Sequence, residues 1–328
     1  MSPPSPPRPQ VRAGSVGRVR LATLPTPLHP APRLSEAIGT EVWLKRDDLT
    51  GLGLGGNKVR GLEFLLADAE AAGADCLVTG GGAQSNWAAL AALAARSRGL
   101  DPYLVCYGPP RPATGNLVLA GLAGADVRFT GDPEKASVDR GVDELAAKLL
   151  ADGRRPYAVP RGGATGVGSL GYLAAAAELA AQRQAAGVVP AELWLATGSC
   201  ATQAGLVAGW RIQAIPGRVV GVSVSRPVQE CIERVERLAA EAADRAGRDV
   251  DVREDDVVVL GGHMGPGYGI ASEAGERAAR LVARTEGVLL DPVFGAKAMG
   301  ALMSAGPRPG PVVFLVSGGA PTLFTELA

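Results

Sequence analysis

Histidine is scarce in this chain: His29 and His263 are the only two in 328 residues. Acid–base chemistry built on imidazole therefore has few candidates. The four cysteines, Cys76, Cys106, Cys200 and Cys231, show no C-x-x-C spacing and no paired histidines. That argues against zinc, and no metal is expected. With no signal-peptide pattern ahead of them, they read as reduced thiols, and a cytoplasmic location is expected. An excess charge of either sign is also missing, since Lys plus Arg (33) equals Asp plus Glu (33). No nucleic-acid or membrane surface is implied. No apolar run approaches the roughly 20 residues of a membrane span.

What the chain does have is apolar residues, 47% of the total, enough for two α/β domains or one large one. Residues 1–20, rich in Pro, Arg and Ser, read as a flexible extension. A short helix over 33–38 and a strand over 41–46 follow. Helices are then expected over 58–72, 86–98, 114–123, 136–151, 168–185, 201–213, 228–245, 270–285 and 294–304. Strands are expected between them at 75–79, 102–107, 125–129, 156–159, 192–197, 218–224, 256–260 and 311–316. Alternating strands and helices predict parallel βαβ units. Continuous apolar runs such as Val312-Val313-Phe314-Leu315-Val316 suit strands covered on both faces.

In open α/β sheets ligands sit beyond the carboxyl ends of the strands. Three small-residue turns fall at such ends: Thr79 to Asn86, Thr197 to Thr202, and Ser317-Gly318-Gly319-Ala320. They are expected to converge on one cleft. Lys58 follows Gly55-Gly56-Asn57 and opens a helix that Asn57 is placed to cap. Taken alone, a lysine is most often a solvated surface charge. At a helix start, the positive dipole end lowers its pKa and favours the neutral amine. The Thr197–Thr202 turn can aim several N–H groups at a phosphate. Ser85 or Asn86 reads equally as a helix cap. An amine, a polar turn and a phosphate-sized cradle are the parts that hold an aldehyde cofactor. No GxxxxGK[ST] is present, which argues against a nucleoside triphosphate. No clean GxGxxG with a following acid is present either, which weakens a nicotinamide reading.

From about Thr26 onward the sequence resembles the D-cysteine desulfhydrase / 1-aminocyclopropane-1-carboxylate (ACC) deaminase family. The resemblance rests on several segments in order. They are Trp43 to Thr50, Gly55 to Arg60, Gln84-Ser85-Asn86, Gly115-Asn116-Leu117, Gly162-Gly163-Ala164 with Gly168 to Tyr172, Gly265 to Gly269, Asp291-Pro292-Val293, and Ser317 to Pro321. It implies pyridoxal 5'-phosphate (PLP) and two open, twisted, mostly parallel sheets flanked by helices, with the active site between domains. The large domain would take 21–55 and 162–328, and the small one 56–161. Lys58 would bond the cofactor and Asn86 would meet its ring hydroxyl. Thr197, Gly198, Ser199, Cys200, Ala201 and Thr202 would hold its phosphate, and Ser317 its ring nitrogen. Ser85 and Tyr268 would join Lys58 in catalysis. Gln84, Ser85, Trp87, Tyr268 and Phe294 would face the substrate, a small amino acid, in a homodimer.

The chain departs from that pattern in three places. Trp87 stands where histidine is usual. Phe294-Gly295 stands where the family has tyrosine, and ACC deaminases Tyr-Glu, which argues against ring-opening deamination. Cys200-Ala201 replaces two glycines, and the added side chains are expected to narrow the phosphate cradle. The leading expectation is α,β-elimination, with D-cysteine giving pyruvate, sulfide and ammonia. The alternative is elimination or replacement on another β-substituted alanine, such as cysteate, in secondary metabolism. A PLP-binding protein without turnover and a nicotinamide oxidoreductase remain as other classes.

Overall fold

A computed structural model of the chain describes residues 17–325. In order it contains β1 (Leu28–Pro30), α1 (Pro32–Ile38), β2 (Val42–Arg46), α2 (Lys58–Ala71), β3 (Cys76–Gly81), α3 (Asn86–Ser97) and β4 (Asp101–Cys106). Then come α4 (Asn116–Leu122), β5 (Asp126–Phe129), α5 (Ser137–Ala151), β6 (Pro156–Ala158), α6 (Gly166–Ala186), β7 (Glu192–Thr197) and α7 (Ala201–Ile212). The chain closes with β8 (Arg218–Ser223), α8 (Val228–Arg245), β9 (Val258–Leu260), α9 (Glu273–Glu286), α10 (Gly295–Ser304) and β10 (Val312–Val316). None of the described helices is long and apolar enough to cross a membrane.

Two sheets result, as expected. One has six strands in the order β1-β2-β10-β7-β8-β9. All its pairs are parallel except β1 with β2. The other has four parallel strands in the order β5-β4-β3-β6. The apolar runs are explained by period-2 burial on both faces. On β7 and β10, Leu193, Leu195, Val313 and Leu315 pack with residues of α6, α7 and α8. Trp194, Val312, Phe314 and Val316 pack on the other face with α1, α9 and α10. Each such buried side chain contributes roughly 1.5–3 kcal/mol. β1 was not expected. It is a three-residue antiparallel edge strand with a proline, too short to show a period.

Most of the expected N-terminal extension lies outside the described residues. Its end is docked rather than loose. Val19 N–H donates to Glu63 O at 3.0 Å, and Arg18 pairs with Glu63 at 2.6 Å. Helix α2 packs on two neighbours. Leu62, Leu65 and Leu66 join Leu77 and Trp87 beside the four-stranded sheet. On another side its backbone touches α6, where a Cβ on Gly171 would lie 2.3 Å from the Arg60 carbonyl carbon.

Candidate active site

The carboxyl ends of β3, β7 and β10 meet at one cavity of about 220 Å³. Lys58 stands at it as the first residue of α2. The turn before it requires glycine: Gly55 has φ +71°, and a Cβ there would lie 2.0 Å from the Asp48 carbonyl oxygen. The Asn57 N–H donates to Ser317 O at 2.9 Å, tying the helix start to the end of β10. Asn57 does not cap α2. Its side-chain amide instead donates to Thr202 Oγ1 at 3.0 Å. Burial strips water from the Lys58 amine and lowers its pKa to about 8. A lowered pKa was expected from the helix dipole; the lowering is present, and its cause is desolvation.

Ser85 is the N-cap of α3, accepting from the Ala88 N–H at 3.2 Å. Its hydroxyl proton is left to donate toward the cavity. Asn86 follows, and its Oδ1 accepts from Asn116 Nδ2 at 2.6 Å. That bond orients the amide and leaves the Asn86 NH₂ as the outward donor. Gln84 does not line the cavity. It braces α4, donating to Thr114 O at 3.0 Å and accepting from the Asn116 N–H at 2.9 Å. Trp87 lines the cavity but is 3% exposed, and its indole N–H is bound to Thr79 Oγ1 at 2.8 Å. It offers ring surface and no donor.

The start of α7 has the features of an anion cradle. The first-turn N–H groups of Ala201 and Thr202 have no acceptor within their own helix, and the dipole favours negative charge there. Thr197 donates to Gln203 Oε1 at 2.6 Å, and Gly198 O accepts from Arg226 Nε at 3.0 Å. Cys200 takes the left-handed conformation, φ +78°, that suits glycine. Its side chain joins the core cluster that contains Cys231. The hydrogen bond to Cys231, with burial, pushes the Cys200 thiol up. The backbone curve of the cradle thus survives the loss of glycine. Ala201 itself does not line this cavity, whereas Ser199, Thr202 and Ser317 do.

Tyr268 and Phe294 meet edge-on, with ring centroids 6.1 Å apart and planes at 74°. Burial pushes the Tyr268 phenol up to about 12, so it stays a donor. Phe294 is fixed by Asp291, whose carboxylate accepts from the N–H groups of Val293, Phe294 and Gly295 at 3.1, 2.8 and 2.8 Å. Burial pushes Asp291 up to about 6 despite those bonds.

Sequence reasoning missed the cations and one phenol at the cavity: Lys135, Arg161, Arg226 and Tyr107. Three of them follow strand ends, Tyr107 after β4, Arg161 after β6 and Arg226 after β8. The strand-end rule, applied there to glycine-rich turns only, passed over them. Arg161 pairs with Asp139 at 2.7 Å, and Arg226 pairs with Glu230. Lys135 Nζ lies 4.0 Å from the Tyr268 ring centroid. Burial lowers its pKa, and Arg226 and Arg161 lower it further. Among the described residues no cluster of His, Cys, Asp and Glu has metal-binding geometry. The donor set instead fits an aldehyde that carries a phosphate: one dehydrated amine, a helix-start cradle, and neutral donors between them.

Comparison with known proteins agrees. The family described as pyridoxal-phosphate dependent enzyme matches residues 19–318. The D-cysteine desulfhydrase of Serratia proteamaculans is 37% identical, over 96% of this chain and 97% of that protein. The D-cysteine desulfhydrase of Klebsiella pneumoniae is 38% identical, over 94% and 95%. Among solved structures, an ACC deaminase homologue superposes with a TM-score of 0.88 at 36% identity, covering 94% of this chain and 93% of that one. A PLP-dependent aspartate racemase shares the fold, with a TM-score of 0.66 at 15% identity over 90% of each chain.

Proposed function

The chain belongs to the pyridoxal-phosphate dependent enzymes, and from that premise we propose that it eliminates sulfide from D-cysteine, giving with water pyruvate, sulfide and ammonia. It is a PLP-dependent enzyme acting by elimination on a small amino acid. D-Cysteine is named because relatives at 37–38% identity over nearly the whole chain carry that activity. The observation that carries the reading is the Lys58 amine, dehydrated at the mouth of a phosphate-sized cradle.

In this proposal Lys58 bonds the cofactor aldehyde, and the N–H groups at the start of α7 hold the phosphate. The Asn86 amide donates to the ring hydroxyl. The neutral hydroxyl of Ser317 meets the ring nitrogen. Bound there, the cofactor withdraws electrons from the substrate Cα. The neutral Ser317 hydroxyl would leave a bound ring nitrogen largely unprotonated, and the moderate electron withdrawal so supplied would favour loss of the β-substituent. The Lys58 amine would accept the substrate Cα proton as general base. A pKa near 8 suits that task at neutral pH. The substrate carboxylate lies at the start of α3, where the Ser85 hydroxyl and the first-turn N–H groups favour an anion. Tyr268 and Phe294 close the substrate side, one as a donor and one as an apolar wall.

A homodimer is part of the same reading. Leu122 is 78% exposed on α4 and Phe324 is 79% exposed in the C-terminal turn. Gly115, which precedes α4, lies against Pro321 and Thr325 of that turn. A monomer in sedimentation at micromolar concentration would count against it. A cytoplasmic location is expected and is checked by cell fractionation.

The test is a panel of D- and L-amino acids scored for 2-oxo acid and sulfide. D-Cysteine should yield both in equal amounts and faster than L-cysteine or ACC. Absence of sulfide from D-cysteine, with another amino acid consumed, would replace the substrate.

A further inference from the structure

Lys297 is a lysine in the wrong place. It is 1% exposed, although an ammonium group is almost never fully buried without partners. It also sits third in α10, where the positive end of the helix dipole opposes it. The nearest carboxylate, Asp291, is already taken by the three N–H groups of Val293, Phe294 and Gly295. What Lys297 does bind is loop backbone. Its Nζ donates to Met264 O at 2.6 Å and to Gly267 O at 3.0 Å.

Those two carbonyls belong to the segment 261–272 that joins β9 to α9 and carries Tyr268. The segment holds itself weakly. Its one described internal backbone bond is a long one, Ile270 N–H to Gly267 O at 3.4 Å. Among the described hydrogen bonds, Lys297 is the one side chain from outside that grips its backbone. Both gripped carbonyls precede Tyr268, one by four residues and one directly. The same helix start carries Phe294, which supports the Tyr268 ring edge-on at 6.1 Å. Lys135 covers the ring from α5's side at 4.0 Å.

We propose that Lys297 is a positioning residue that fastens the 264–268 loop to the start of α10 and so fixes where the Tyr268 hydroxyl meets the substrate. The proposal rests on the reading of Tyr268 as a substrate-facing donor. Lys297 touches neither the cofactor cradle nor Lys58, and it acts through Tyr268. The cost of burying the ammonium is offset by two charge-assisted bonds, one to the Met264 carbonyl, which has no other described donor, and one to the Gly267 carbonyl, which otherwise has only the long bond from Ile270. A methionine of similar length would fill the space, leave the Met264 carbonyl without a described donor and leave the Gly267 carbonyl with only the long Ile270 bond.

The test uses holoenzyme and three variants, Lys297→Met, Lys297→Arg and Tyr268→Phe, with the double variant Tyr268→Phe/Lys297→Met. Backbone hydrogen exchange is read over 262–270, and kcat and KM are read with D-cysteine. Lys297→Met should speed exchange in that segment at least tenfold and leave β10 and α7 unchanged. KM should rise about tenfold with kcat within threefold, the pattern of lost positioning that is equal in ground and transition states. Lys297→Arg, which keeps a charged donor, should recover at least half of the exchange protection. In the Tyr268→Phe background the Met substitution should add less than twofold to KM. Exchange at the wild-type rate in Lys297→Met overturns the proposal. So does a loosened loop with unchanged KM, or a full further tenfold in the Phe background. If Lys297→Met does not fold, the arginine variant carries the comparison, and wild-type exchange with raised KM then refutes it. Failure of the proposed substrate alone is recognised separately: wild-type enzyme would release no sulfide, while the exchange result would stand.

Discussion

Replacing Arg60 by methionine tests how the Lys58 helix is held. Arg60 lies two residues beyond Lys58 and is 2% exposed. Its guanidinium makes five hydrogen bonds. Two go to Asp47, at 2.7 and 2.8 Å, two to Glu178, at 3.0 and 2.8 Å, and one to Thr26 Oγ1, at 3.0 Å. Lys45, also fully buried, pairs with Glu178 and donates to Thr26 O and Gln182 Oε1, both at 2.8 Å. Two cations thus balance two carboxylates. Arg60→Met leaves one uncompensated negative charge beside Asp47, which is 0% exposed. Breaking a buried pair in this way costs about 3–5 kcal/mol. The sign of the pH dependence follows from Asp47. Burial pushes its pKa up, and the Arg60 charge and hydrogen bonds outweigh that and hold it below the usual carboxylate value. In the wild type the pairing therefore stabilises above the unfolded carboxylate pKa and fades only as pH falls through the folded one. In the variant, burial acts with less opposition, Asp47 binds a proton on folding, and the deficit shrinks as pH falls toward 5. Urea unfolding of holoenzyme at about pH 7.5 and pH 5.5 reads both effects, and Asp47→Asn added to the variant should recover part of the loss. A cost under about 1 kcal/mol, or one that does not change with pH, would refute this account of the network.

Two further outcomes are expected at the cofactor site. The neutral Lys58 amine is the form that attacks an aldehyde, and its pKa lies near 8 rather than 10.5. Uptake of PLP by the apoprotein should therefore quicken about five- to tenfold from roughly pH 7 to pH 9 and then level; stopped-flow absorbance reads it, and a rate still climbing through pH 10 contradicts the lowered pKa. Asn116→Ala removes the 2.6 Å bond that orients the Asn86 amide. It should weaken PLP binding about five- to twentyfold with little change in melting temperature, and equal affinity in equilibrium dialysis contradicts the role given to Asn86.

Much of this fold was legible because period and length agree along the chain. The run from Val312 to Val316 could only be a strand covered on both sides, and the Ala-rich stretch before Gly187 could only be a helix packed closely. The turns at 79–86, 197–202 and 317–320 were legible as a site because they close parallel strands. What was not legible depends on partners distant in sequence. Asn57 looks like a cap, yet Thr202, far along the chain, claims its amide. Gln84 sits in a site motif, yet its bonds go to Thr114 and Asn116. Trp87 looks like a substrate contact, yet Thr79 claims its N–H. Lys297 reads as an ordinary helix-surface lysine until Met264 and Gly267 fold over it. Of the cavity cations, Arg161 and Arg226 follow strand ends and Lys135 precedes α5, and only Arg161 has glycine beside it, so composition gave no mark.

The central claim is that Lys58 bonds the cofactor, and borohydride reduction of holoenzyme followed by peptide mass spectrometry tests it most directly. The chain has five lysines, Lys45, Lys58, Lys135, Lys148 and Lys297, so the competing sites are few. The account predicts a reduced pyridoxyl group on Lys58 alone, absent after Lys58→Ala together with turnover. A stable adduct on Lys135 or Lys297, or full turnover without Lys58, would contradict it.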